Sequence, residues 1–380
     1  MKLIFKLLLG IILGVAIGLV GPDFLVRILI TIKSVFGSFI NFMIPFIILF
    51  FIASGVAGLG KGSGKLVGKT VGTAYVSTIL AGLLAFLVAM TVIPFISTES
   101  QAVSEGSALE PFLEMEIAPL MGVVTALVTA FVFGIGITKI KGEWLKNMFD
   151  EGKNIIELVI AKVIIPLLPF YIAGVFAELG SEGTVFATLK VFGIVLLLAI
   201  VIHWVWLIIQ YTVAGIVTKQ NPFTLLKNML PAYFTAIGTM SSAATIPVTL
   251  KSVKQNKVKE SVANFGVPLC ASIHLSGSVI TIIMCAVAVM AMSPELTQPT
   301  FLEMLYVIFM LGIIMVAAPG VPGGAIMAAL GVLTSVLGFH EAAIGLMIAL
   351  YMAQDSFGTA TNVTGDGAIN VFIDRWSKES

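Results

Sequence analysis

The stretch TFLEMLYVIFMLGIIMVAAPGVPGGAIMAALGVLTSVLG, residues 300–338, decides how the rest of the chain is read. Two apolar arms flank Ala318-Pro319-Gly320-Val321-Pro322-Gly323-Gly324. Each arm falls short of the ~20 residues that a membrane-spanning helix needs. Prolines and glycines at this density end a helix, because proline lacks the N–H and glycine is conformationally loose. The stretch is either one kinked span or a re-entrant hairpin that enters and leaves on the same side.

The surrounding chain decides between them. Hydrophobic residues fill 58% of the 380 positions and charged residues only 11%, against about 25% charged in a soluble domain. Such a chain cannot cover its surface in water, so lipid is its main solvent. Apolar segments of spanning length lie at 3–20, 24–58, 69–96, 117–138, 154–177, 184–217, 260–292 and 341–373. The first follows Lys2 and Lys6 as a signal peptide would, but no small-x-small cleavage site precedes a soluble domain, so it reads as a retained span. Lysines crowd every second loop: Lys61, Lys65 and Lys69; Lys139, Lys141, Lys146 and Lys153; Lys219 and Lys227; Lys251, Lys254, Lys257 and Lys259; then Arg375 and Lys378. Alternate loops hold Asp23; Glu99, Glu105, Glu110, Glu114 and Glu116; Glu178 and Glu182; and Glu295. The positive-inside rule then predicts a multi-pass protein of the cell membrane with both termini cytoplasmic. One kinked span at 300–338 would put Arg375 and Lys378 outside, so that stretch is a hairpin. Residues 222–250 are a second, semi-polar hairpin that turns at Met240-Ser241-Ser242-Ala243-Ala244 and opens to the cytoplasm. The expected fold is all-α: eight transmembrane helices and two re-entrant hairpins. Hairpins from opposite sides suggest inverted repeats around a midplane site.

The last span carries Asp355, Thr359, Asn362 and Asp366, spaced so that all four share one helix face. An intramembrane carboxylate costs about 2.5–3.5 kcal/mol on the insertion scale, and residues 341–373 contain no lysine or arginine. The expected partners are cations that come and go: a substrate ammonium, and a metal ion or proton. Interhelical hydrogen-bonding glue is the bland alternative, and carboxylates serve it badly. At the first hairpin tip, Ser241 and Ser242 leave backbone N–H groups open at a half-helix N-terminus, which favours a carboxylate; alone, they read equally as turn caps. Gly320, Gly323 and Gly324 permit a close-fitting lid. The seventh span breaks at His274-Leu275-Ser276-Gly277-Ser278, freeing carbonyls for an ion. His274 itself reads as a structural group, a proton carrier or an ion-site wall. His203 and His340 read as structural, as do Cys270 and Cys285 in their apolar runs. Net charge of +1 gives no basic field for nucleic acid. No nucleophile–base pair, metal cluster or nucleotide loop suggests an enzyme.

Three stretches carry a resemblance: Ser241-Ser242-Ala243-Ala244-Thr245-Ile246-Pro247-Val248-Thr249, Gly320-Val321-Pro322-Gly323-Gly324-Ala325-Ile326-Met327, and Asn362-Val363-Thr364-Gly365-Asp366. Together they resemble the dicarboxylate/amino acid:cation symporters, the glutamate-transporter family, strongly over 222–374 and collinearly before it. The resemblance implies a homotrimer in the bilayer. Its scaffold would be residues 1–68 (spans 1–2) and 97–183 (spans 4–5). Its elevator-like transport domain would be 69–96 (span 3) and 184–374, containing the hairpins at 222–250 and 300–338. It also implies that Asp355 accepts the substrate amino group and that Asn362 and Ser242 hold its carboxylate. Ser241, Ser278, Val321, Gly324, Gly358 and Thr359 complete the substrate set. Asp366, Asn362, His274 and Ser276 make a Na⁺ site, with Tyr75 and Thr78 in a further one. Members that carry acidic substrates have an arginine where this chain has Gly358, and another where it has Met240. A buried dicarboxylate without a guanidinium partner loses several kcal/mol. The expectation is therefore a Na⁺-coupled carrier of a small neutral amino acid, similar to the bacterial serine/threonine branch. Proton coupling, a dicarboxylate or monocarboxylate cargo, and a channel or non-transporting scaffold are the alternatives.

Overall fold

The computed structural model describes residues 2–59, 65–97, 109–316 and 318–378. Lys61, Glu99 and Glu105, which entered the charge argument, lie outside the described residues. Within them the chain is helical, with no strand. The order begins α1 (Lys2–Val20), α2 (Asp23–Leu59), α3 (Lys65–Ser97), α4 (Val123–Ile140) and α5 (Glu143–Val159). A π turn at Ile160–Ile164 joins α5 to α6 (Ile165–Ser181), and α7 (Val185–Thr218) follows. Next come α8 (Pro222–Thr239), α9 (Ser242–Gln255), α10 (Glu260–Ile273), α11 (Ser276–Met292), α12 (Phe301–Met315), α13 (Gly324–Leu337) and α14 (Glu341–Lys378).

Seven stretches among the described residues are long and apolar enough to cross a bilayer: Leu3–Val20, Asp23–Gly58, Val67–Phe95, Val123–Ile140, Glu143–Ser181, Val185–Thr218 and Glu260–Met292. The eighth expected span, α14, is 38 residues long, or about 57 Å at 1.5 Å per residue. Length suffices there; its polar stripe keeps it out of the apolar set. Two span starts differ most from the sequence expectation. The fourth span starts at Val123 rather than 117, because Pro119 and Gly122 hold the preceding chain extended. The fifth starts at Glu143, since the amphipathic α5, too polar for a hydropathy reading, runs on into α6. The π turn between them immediately precedes Pro166. Proline there cannot donate to the carbonyl four residues back, and a widened turn absorbs the defect.

Both hairpins are present as helix pairs. In the first, Asn221 caps α8 by accepting from the N–H groups of Phe223 (2.9 Å) and Thr224 (3.3 Å), with Pro222 in the first turn. Its second arm, α9, runs to Gln255, beyond the expected 250. In the second, Thr300 and Glu303 form a capping box on α12. Ala318 to Gly323 form the tip, and α13 follows.

In packing, α1 lies on α6, and α2 lies on α4, α5 and α6. The hairpins and α3, α7 and α10 surround α11 and α14. Every residue of α11 from Ser276 to Met290 is buried, whereas α1 is largely exposed. An apolar helix enclosed on all sides is a scaffold for something central, and what it encloses is the polar face of α14.

Candidate functional site

The site begins with a broken helix. His274 adopts extended backbone and Leu275 a non-helical one between α10 and α11, which leaves the first N–H groups of α11 without intrahelical partners. A side chain from α14 supplies them. Asn362 Oδ1 accepts from Gly277 N (2.7 Å) and Ser278 N (3.2 Å), and Asn362 Nδ2 donates to Ser278 Oγ (2.9 Å). Asn362 therefore caps α11, and Ser278 sits beside it.

Asp355, Thr359, Asn362 and Asp366 share the inner face of α14, none more than 5% exposed. Among the described residues neither aspartate has a lysine or arginine partner. Asp355 Oδ1 accepts from the Tyr351 hydroxyl (2.9 Å), and Oδ2 from Gly323 N (2.8 Å) at the second hairpin tip. Gly323 has φ +72°, a left-handed conformation that glycine adopts without strain, and this aims its N–H at Asp355.

The two tips meet over this face. Ser241 caps α9 by accepting from Ala244 N (3.2 Å), and its hydroxyl donates to Gly320 O (2.7 Å) of the other hairpin. Ser242, in the first turn of α9, is buried next to it. Val321 accepts from Gly324 N (2.9 Å), closing the turn that starts α13.

One turn beyond Asn362 lies a second polar centre. Asp366 Oδ1 is 2.9 Å from His274 Nδ1, and His274 Nε2 is 2.9 Å from Ser77 Oγ, which accepts from Gln210 Nε2 (2.9 Å). Three helices and the break between α10 and α11 thus contribute to one buried chain of polar groups. Within this chain, Asp366 Oδ2 and Gln210 Oε1 are buried without partners, as are Ser276 Oγ, Thr364 Oγ1 and Asn370 Oδ1 elsewhere on α11 and α14. Buried polar atoms are nearly always paired, so a carboxylate with one oxygen left unpaired, in a chain that also holds the unpaired Gln210 oxygen, fits a hard cation, which prefers oxygen donors. Among the described residues no group of three His, Cys, Asp or Glu side chains is arranged to hold a metal ion.

Three assigned residues sit apart from these centres or face elsewhere. The Tyr75 hydroxyl donates to Phe309 O of α12 (3.4 Å), and Thr78 Oγ1 to Ala74 O of its own helix (2.9 Å). From α3 it is Ser77 that reaches His274. Gly358 faces α11: a Cβ there would stand 3.1 Å from Thr281 Oγ1 and 3.4 Å from Gly277 O. A Cβ on Gly277 would in turn stand 2.3 Å from Gly358 O. The two glycines let the helices touch, and His203 Nε2 closes the contact at 3.0 Å from Gly277 O. Sequence reasoning missed Ser77 and Gln210. A glutamine within the apolar α7 was a usable signal, since polar side chains in spans need a reason.

A model of the sodium:dicarboxylate symporter family matches residues 3–376. Excitatory amino acid transporter 1 of Ambystoma tigrinum is 30% identical over 276 residues, 70% of this chain and 50% of that protein. Neutral amino acid transporter B(0) of Homo sapiens is 27% identical over 271 residues, 68% of this chain and 49% of the relative. The chain spans about half the length of the curated relatives it matches.

Proposed function

The chain belongs to the sodium:dicarboxylate symporter family, and from that premise we propose that it is a secondary symporter coupling inward Na⁺ movement to uptake of a small neutral amino acid such as serine or threonine. The observation that carries the reading is Asp355, a buried carboxylate held by neutral donors from Tyr351 and Gly323. A substrate ammonium meets it as a charge-assisted contact, strong where water is scarce. The substrate carboxylate lies against Ser242, the Asn362 amide and the tip N–H groups. With methionine at 240 and glycine at 358, no guanidinium stands ready for a second carboxylate, and α11 fills the space beside Gly358.

Na⁺ is the co-substrate, taken by Asp366, whose Oδ2 is buried without a partner. Both ligands favour closure of the second hairpin, and that shared preference is the linkage symport requires. Residues 69–96 and 184–374 move as the transport domain against a scaffold of 1–68 and 97–183, in a homotrimer whose termini are cytoplasmic. The relatives' names include both an excitatory and a neutral amino acid transporter, so cargo is the open choice within the family. Proton coupling is the second reading, favoured by the His274 imidazole standing between Asp366 and Ser77.

The experiment is uptake of radiolabelled serine, threonine, alanine and aspartate into proteoliposomes under an inward Na⁺ gradient or a pH gradient alone. Sodium-driven serine uptake with aspartate excluded supports the reading. Uptake driven by the pH gradient in sodium-free buffer transfers coupling to His274, and aspartate transport overturns the cargo assignment.

A further inference from the structure

Tyr351 belongs to neither the substrate set nor the ion set, yet it touches the substrate set at two points. It lies one turn before Asp355 on the same face of α14, is fully buried, and ranks among the largest enclosed side chains. Its hydroxyl donates to Asp355 Oδ1 at 2.9 Å. The Ser278 hydroxyl faces the same phenol, and Ser278 Oγ in turn accepts from Asn362 Nδ2 at 2.9 Å. The phenol therefore adjoins the group assigned to the substrate ammonium and, through Ser278, the group assigned to the carboxylate.

We propose that Tyr351 is a specificity-determining residue: its ring closes the substrate compartment to long side chains, while its hydroxyl holds Asp355 in the orientation that receives an ammonium. This rests on the reading of Asp355 as the ammonium acceptor. The carboxylate is pinned from two directions, by Tyr351 on Oδ1 and by Gly323 N on Oδ2. A carboxylate offers about four lone-pair sites, so an ammonium adds to those remaining without displacing the phenol. The ring itself has nowhere to go. Packed interiors leave few voids, and the α11 face opposite is buried throughout. A ligand bridging Asp355 and Asn362 runs alongside the ring, and every added methylene on its side chain competes with it for volume.

The test compares Tyr351→Phe and Tyr351→Ala, in the full chain reconstituted in proteoliposomes, for uptake of serine, alanine, methionine and leucine. One methylene in a tight pocket changes selectivity by about 10–200-fold. Tyr351→Ala is expected to lower the serine-over-leucine ratio at least ~10-fold. Tyr351→Phe keeps the ring, so it retains the native ratio and raises the serine KM about fivefold, the effect of one lost hydrogen bond. If Tyr351→Ala does not elute as a folded species on gel filtration, Tyr351→Val carries the same size test. An unchanged ratio in a folded small variant overturns the proposal, as does a ratio in Tyr351→Phe that shifts as far as in Tyr351→Ala. A native chain that takes up no neutral amino acid defeats instead the reading of Asp355 on which it stands.

Discussion

Gly358→Arg separates two explanations for the exclusion of acidic substrates that the proposed function requires. If only a missing guanidinium excludes them, restoring it should admit aspartate. The geometry argues otherwise. The new Cβ would sit 3.1 Å from Thr281 Oγ1 and 3.4 Å from Gly277 O. Thr281 has little freedom to yield: it is β-branched, and its hydroxyl lies 3.2 Å from both Gly277 O and His203 Nε2. Overpacking of this kind costs about 1–3 kcal/mol, offset in part by about 1 kcal/mol of helix propensity gained on losing glycine. The charge adds a second penalty. Asp355 lies three residues earlier on the same helix, close enough to pair with the introduced guanidinium, and pairing would withdraw it from the substrate. The expected result is a net stability loss of up to ~2 kcal/mol, serine uptake abolished, and no aspartate uptake gained. Thermal unfolding of the detergent-solubilised protein and proteoliposome uptake read these out together. Sodium-driven aspartate uptake by the single variant at native stability would refute the reasoning.

Asp366→Asn removes the charge that offsets a cation while keeping the shape, so uptake driven by an ion gradient is lost and the gel-filtration profile stays native. Normal sodium-dependent uptake by that variant would sink the ion assignment. Ser241→Ala deletes both the α9 cap and the bond to Gly320 O; a lost cap costs about 1 kcal/mol, and hydrogen exchange at both tips should quicken together, whereas a change confined to the first hairpin would deny the tie between them. Lys33 pairs with Glu178 at 2.6 Å, and Glu182 and Glu341 feel the same lysine charge. Lys33→Met leaves these carboxylates uncompensated. The pair is only partly buried, which brings the loss below the fully buried case to about 1–3 kcal/mol. The deficit should shrink as pH falls, because burial first and the Glu178 charge second hold the Glu182 carboxyl above the usual carboxylate range, and its protonation removes one uncompensated charge. A loss that is constant with pH would assign the effect to packing instead.

What could be read from the chain beforehand follows the range of the signals involved. Proline and glycine density at 318–324, lysine alternation between loops, and four polar residues on one face of α14 are local features, and each names its own element. The Asp355–Tyr351 contact is equally local, one helical turn, and was in reach of the same reasoning. Pairings across the bundle were not. Ser77 and His274 are 197 positions apart, and Ser77 and Gln210 are 133 apart, so only the packing of α3, α7 and α14 around the break in α10–α11 brings them together. Gly358 makes the sharper case. Its helix and register were correctly placed, but a glycine has no side chain to declare which neighbour it faces. Read alone, it is an empty place for a substrate; read with Gly277, it is where two helices touch. The same absence serves both ends, since a helix pair this close has no room for the guanidinium that would favour a second carboxylate. On the proposed reading, exclusion of a second carboxylate is then a consequence of helix packing, and lifting it requires remodelling the α11–α14 contact as well as the residue at 358.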